Sequence, residues 1–152
     1  MTEDARLSKI LTGIAGEFFV AAELTRRGYI VSITPHSTED VDILAVHADT
    51  KQALTVQVKT SQGARNEWVL GVRAERAAAD NHYFVFVSLK GLTDSPAYPI
   101  VPSSEVARYC RESHETWMAT PGRGNRPHGS SNVRKFSDHE NRYLDAWNIL
   151  PE

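Results

Sequence analysis

Cysteine is nearly absent from this chain: Cys110 is the only one in 152 residues. A single thiol excludes an internal disulfide framework and any all-cysteine zinc site. It is compatible with a reducing compartment, and the cytoplasm is the expected location. Long hydrophobic runs are missing too. The longest fully apolar stretches, such as Phe18–Ala22 and Tyr83–Val87, fall far short of the roughly 20 residues a membrane-spanning helix needs. The opening MTEDARLSKI is polar and carries two acids, unlike a secretory signal. A strong charge of one sign is also lacking, with a net charge of -2 and a pI near 6.3. The six histidines, His36, His47, His82, His114, His128 and His139, show no metal-ligand spacing. Gly122-Arg123-Gly124 lacks the lysine and hydroxyl context of a phosphate-binding loop, and Ser103-Ser104 lacks a nucleophile elbow.

What remains is an ordinary globular composition, 41% apolar and 24% charged. The length fits one domain over residues 1–152, with a core at 7–101 and a C-terminal helical and loop extension at 102–152. Leu7, Ile10, Leu11, Ile14, Phe18, Ala21 and Ala22 recur at helical steps, predicting a helix from about Leu7 to Arg27 that Gly28 stops. Tyr29–Thr34, Val41–His47, Gln52–Thr60, Glu67–Arg73 and His82–Leu89 read as strands, the second and third joined as a hairpin. Ala97–Val101, interrupted by Pro99, reads as a short edge strand. Ser103 or Ser104 opens a helix to about Met118. Thr120–Val133, with three glycines and two prolines, is expected to be irregular, and Asp138 to cap a last helix to about Leu150. The order predicts an α/β (α+β) fold with a central sheet flanked by helices.

Three places break the apolar pattern. Glu17 lies on the flank of the helical stripe, where a carboxylate needs a cation, a metal or a donor, or reaches water. Asp42 interrupts the strand Val41-Asp42-Ile43-Leu44-Ala45, although aspartate is depleted from strand interiors; an exposed first residue after a turn is the other reading. Gln57 and Lys59 alternate with Val56 and Val58, so both polar side chains leave one face of their strand. A tight hairpin places Asp42 beside that pair, and a helix packed on the sheet could bring Glu17 alongside.

This ordered set resembles the PD-(D/E)XK nuclease superfamily: Gly16-Glu17 on a helix, Val41-Asp42-Ile43 on a strand, then Gln57-Val58-Lys59 across a hairpin. The stretch Gly13-Ile14-Ala15-Gly16-Glu17, with Leu24 and Arg27-Gly28-Tyr29-Ile30-Val31, is similar to archaeal Holliday junction resolvases and Mrr-type restriction nucleases. The resemblance spans about Ile10 to Ser61. One position departs from the pattern: Gln57 stands where an acid is usual, a variant that also occurs in Mrr-like members. The resemblance implies a restriction-endonuclease-like core with a mixed sheet, and metal-dependent hydrolysis of phosphodiester bonds in DNA, RNA not being excluded. It implies a Mg²⁺ site, which Mn²⁺ is also able to fill, built from Asp42, Gln57, the Val58 carbonyl and Glu17. Lys59 would orient the water or stabilise developing phosphate charge. It also implies a homodimer. Because Gln57 removes one negative charge, a nuclease fold that binds nucleic acid or protein without cleaving is the alternative.

Charge is uneven along the chain. Residues 1–59 hold eight acids and six bases, whereas residues 121–135 hold four bases, Arg123, Arg126, Arg134 and Lys135, and no acid. That loop is expected to contact the nucleic-acid backbone, because an acidic protein needs a local positive surface to approach it. Pairing with Glu112, Glu115 or Asp138 is the competing expectation. His36 precedes the acidic strand and is a lesser candidate. Cys110, Trp117, Tyr143 and Trp147 read as core or helix-packing residues.

Overall fold

The computed structural model describes residues 6–35 and 38–152, so His36 lies outside the described residues. The elements are α1 (Lys9–Thr25), β1 (Tyr29–Ile33), β2 (Ile43–His47), β3 (Ala53–Ser61), β4 (Glu67–Gly71), β5 (His82–Ser88), β6 (Ile100–Pro102), α2 (Ser103–Ala119) and β7 (Val133–Ser137). Five strands form one sheet in the order β1-β2-β3-β5-β6. Only the β3–β5 pair in it is parallel. α1 covers one face, where Val20 and Leu24 meet Ile43, Ala45, Leu54, Val56 and Val58. α2 covers the other face, where Val106 and Cys110 join Phe84, Phe86 and Val101. This is the α/β sheet flanked by helices that the element order predicted, and the restriction-endonuclease-like core that the resemblance implied. Among the described residues, no helix is long and apolar enough to cross a membrane.

The central strands form for the reasons their sequences suggest. β5 (HYFVFVS) is buried along most of its length, as a parallel-paired strand covered on both faces must be. β3 alternates: Leu54, Val56 and Val58 are buried toward α1, while Thr55, Gln57 and Lys59 face the other way and are half-buried. In the parallel register Gln57 sits beside Phe84 and Lys59 beside Phe86, which confirms the side they share.

The first helix turns a different face inward from the one its apolar spacing predicted. Ser8 caps it, accepting from the Leu11 N–H, and Gly28, at φ +94°, follows its end. The buried seam is Thr12, Gly16, Val20 and Leu24, spaced by four. Ile10 and Phe18, from the predicted stripe, are 73% and 63% exposed. The helix is apolar around most of its circumference, and the choice is made by size. Gly16 lets the helix backbone come against β3, and a Cβ there would stand 1.8 Å from Thr60 Oγ1.

Three further differences concern the C-terminal third. β7 forms where no element was expected, between the end of the loop at Val133 and Asp138, pairing antiparallel with β4 from Glu67↔Ser137 to Gly71↔Val133. The last helix is replaced by turns and one short 3-10 turn, Trp147–Ile149. Asp138 caps as expected, but it caps a turn, accepting from the Arg142 and Tyr143 N–H groups at 2.8 and 3.0 Å. Asn141 and Asp145, both at positive φ, break the helical path. The edge strand β6 begins at Ile100, beyond Pro99.

The β4–β7 pair also revises the basic loop. Arg134 points inward, its side chain 6% exposed, paired with Glu75 and donating to the Ser131 carbonyl. A guanidinium buried in this way is not on the surface that meets a phosphate. Lys135 faces out and pairs with Glu67 at 2.8 Å.

Two consequences are measurable by urea denaturation. Gly16→Ala should lower stability by about 1–3 kcal/mol, because the new methyl overlaps Thr60, while Gly13→Ala, with nothing within 4 Å, should raise it by up to about 1 kcal/mol. Equal effects at the two glycines would contradict the seating of α1. Arg134→Ala should cost about 1–3 kcal/mol by leaving the half-buried Glu75 without its partner, and an unchanged midpoint would return Arg134 to the surface.

Candidate functional site

β3 runs nine residues against the five of β2, so its C-terminal half extends past its neighbour. Asp42 stands where the two part. It lies just ahead of β2 rather than inside it. Ile43 pairs with Val56 in the register, and the Asp42 N–H also donates to the Val56 carbonyl at 2.9 Å. Two consecutive residues thus address one partner, the pattern of a β-bulge, which re-aims a side chain. Here the bulge takes the carboxylate to the open edge of β3, where Asp42 Oδ2 accepts from the Val58 N–H at 2.7 Å. Alternation along a regular strand would instead have put Asp42 on one face beside Leu44.

Gln57 and Lys59 flank Val58, so the carboxylate sits at the strand edge within one residue of both. The Val58 carbonyl leaves from the same edge as its N–H. Neither the Gln57 amide nor the Lys59 ammonium makes a hydrogen bond or ion pair among the described residues, and both are half-buried. Glu17 approaches from the other side of the sheet. Its neighbour Gly16 packs on Thr60, so Glu17 is at the same end of β3 but on the α1 face, and it is half-buried. The structure therefore brings Asp42, Gln57, Val58 and Lys59 to one stretch of β3, with Glu17 across the sheet.

Two surroundings of the site were not visible in the sequence. The loop ahead of Asp42 is held by Arg73, which bonds Glu39 at 2.8 Å and Asp40 at 2.9 Å. His82, at the start of β5, is buried beside Thr55, its Nδ1 2.7 Å from Thr55 Oγ1. Burial holds the imidazole below its ordinary pKa, against the opposing pull of Asp40 and Asp42. Thr55 and His82, with Asp40, Val41 and Asp80, line a small depression beside the site. The parallel register Thr55↔His82 is what places the ring there. Elsewhere, Cys110 is fully buried and its thiol is pushed up to about 11, which removes it as a nucleophile.

A divalent cation can be tested against these donors. Among the described residues, no group of three or more His, Cys, Asp or Glu side chains is placed to hold a metal ion. The donors present are one carboxylate, one amide oxygen and one main-chain carbonyl. That set fits a hard ion that keeps several waters and shares its charge with a substrate phosphate. It does not fit an ion held tightly by protein alone.

Comparison with known proteins gives the fold and nothing finer. No protein-family model and no curated protein sequence matches the chain. Among solved structures, the bacterial homing endonuclease I-Ssp6803I superposes with a TM-score of 0.54 at 14% identity, over 95% of this chain and 91% of that one. At that identity the likeness is one of fold alone.

Proposed function

We propose that this protein binds nucleic acid on a nuclease fold, with the sugar-phosphate backbone lying along the open end of β3. The observation that carries this reading is Lys59. Its ammonium has no partner among the described residues, on a polar strand face beside a neutral glutamine. A phosphate oxygen is a natural partner for a half-buried ammonium that has none. Gln57 fits the same reading, because a second carboxylate beside Asp42 would repel a polyanion wherever no metal offset it. Arg123 and Arg126, exposed and without an ion pair among the described residues, form a second positive patch.

A second reading is metal-dependent cleavage of DNA. The placement of Asp42, Gln57 and the Val58 carbonyl at one strand edge favours it. These three would hold Mg²⁺ or Mn²⁺, which when bound supplies charge neutralisation and a more acidic water. The chain's own part is then limited. Asp42 and Gln57 fix the donor positions. Lys59 holds a non-bridging phosphate oxygen and stabilises the charge that develops on it. Glu17 contributes from the far face of the sheet through water.

One experiment separates the readings. Purified protein is incubated with supercoiled and linear DNA in Mn²⁺, and binding to the same DNA is measured across a salt series. Binding without cleavage is the expected result, with Lys59→Ala weakening affinity and flattening the slope of log K on log salt by about one unit. If cleavage occurs, the second reading holds, and Lys59→Ala should slow it on the order of 10²–10³-fold. Failure to bind any nucleic acid would overturn both.

For the metal, Gln57→Glu should tighten Mn²⁺ binding in calorimetry, because it restores a carboxylate beside Asp42. Identical titrations for the two proteins would remove Gln57 from the donor set.

A further inference from the structure

Trp117 does not behave as the core residue its helical position suggested. It is 41% exposed, whereas Trp68 and Trp147 are 3% and 9% exposed. It stands on the last turns of α2 at the mouth of a cleft of about 360 Å³ between that helix and β7. Tyr109, His114 and Trp117 form one wall, and Ser131, Val133 and Lys135 form the other. The aromatic wall is preassembled. His128 stacks on Trp117 at 3.9 Å between ring centroids, and His114 lies at 5.6 Å with its plane 27° away. Tyr109 is anchored against Phe136 of the core at 4.8 Å.

The loop beside this stack brings two cations with it. The Gly122 N–H donates to the Arg126 carbonyl at 2.8 Å, and the Asn125 N–H to the Gly122 carbonyl at 3.1 Å, closing a tight turn. That turn rests on His128: a Cβ at Gly122 would stand 3.0 Å from His128 Cε1. Arg123 and Arg126 belong to this turn, exposed and without an ion pair among the described residues. By contrast, Arg108, on α2, is engaged by Glu105 and Glu112.

We propose that this cleft binds an unpaired base of a nucleic-acid strand, stacked against the Trp117–His114 wall, with Arg123 and Arg126 on the adjoining phosphates. The inference rests on the nucleic-acid reading given above and adds a second site to it, separate from the end of β3. Chemistry selects the ligand. Flat π-faces take any base, and flanking guanidinium groups take the phosphates that come with it. A base inside a duplex is already stacked on its neighbours, so the cleft serves single strands, loops, ends and mispaired positions.

The test uses the full chain and three labelled probes of equal length: an oligothymidylate, an abasic strand and a duplex. Binding is followed by anisotropy, with intrinsic fluorescence as a second readout. The wild type should prefer the oligothymidylate to the abasic strand by between about fivefold and a hundredfold, the effect of one stacked base. Its tryptophan emission should be quenched, because Trp117 is the exposed indole. Trp117→Ala should abolish both the preference and the quenching while keeping the affinity for the abasic strand, and Trp117→Phe should keep most of the preference. The Arg123→Ala/Arg126→Ala double variant should weaken all three probes alike. Equal wild-type affinity for the oligothymidylate and the abasic strand, or an unchanged preference in Trp117→Ala, would overturn the stacking site and leave the nucleic-acid reading standing. A wild type that binds none of the probes would remove both.

Discussion

The N–H of Val58 is the constraint around which the candidate site is arranged. β3 is bonded on both edges over its first half, to β2 on one side and β5 on the other. Past Val56 the β2 edge runs out, and the next donor facing that way is Val58. A buried or half-buried N–H left open costs about 1–3 kcal/mol. The chain answers it with a carboxylate rather than another strand residue. The bulge at Asp42 is the device that delivers it. The same bulge ends the β2 ladder, so the opening of the sheet edge and the placing of the acid are one event. Arg73 then ties Glu39 and Asp40 down, fixing the loop that leads into the bulge.

The two faces of β3 divide the remaining work. Val56 and Val58 join α1 on one side, and the approach is close because Gly16 meets Thr60 without a side chain. Gln57 and Lys59 are left on the other side, next to the phenylalanines of β5. Their polar ends are neither neutralised nor shared among the described residues. Asp42 brings one carboxylate to this end of β3 and Gln57 brings no charge, a donor set that does not hold a cation tightly by protein alone. This is the physical reason nucleic-acid binding is proposed ahead of cleavage.

Much of this was legible in the sequence. β3 and β5 announce themselves by alternation and by an aromatic, β-branched run. Asp42, Gln57 and Lys59 stand out because each breaks an apolar pattern. What was not legible has identifiable causes. Apolar spacing misplaced the buried face of α1 because the helix has two apolar faces. The one that docks is marked by a glycine and a threonine, which hydrophobic periodicity does not weigh. β7 was hidden because its inward positions are Arg134 and Phe136, and an arginine reads as outward until Glu75 is found beside it. The expected last helix failed at Asn141 and Asp145, residues that accept positive φ readily. The bulge left no mark in sequence at all, since it depends on which N–H of β2 reaches Val56.

The most direct test is a crystal structure of the protein with a short duplex whose phosphates resist hydrolysis. A phosphate oxygen within hydrogen-bonding distance of Lys59 Nζ, with Asp42 still bonded to the Val58 N–H, is the predicted result. A duplex seated elsewhere, with Lys59 left in solvent, would contradict it.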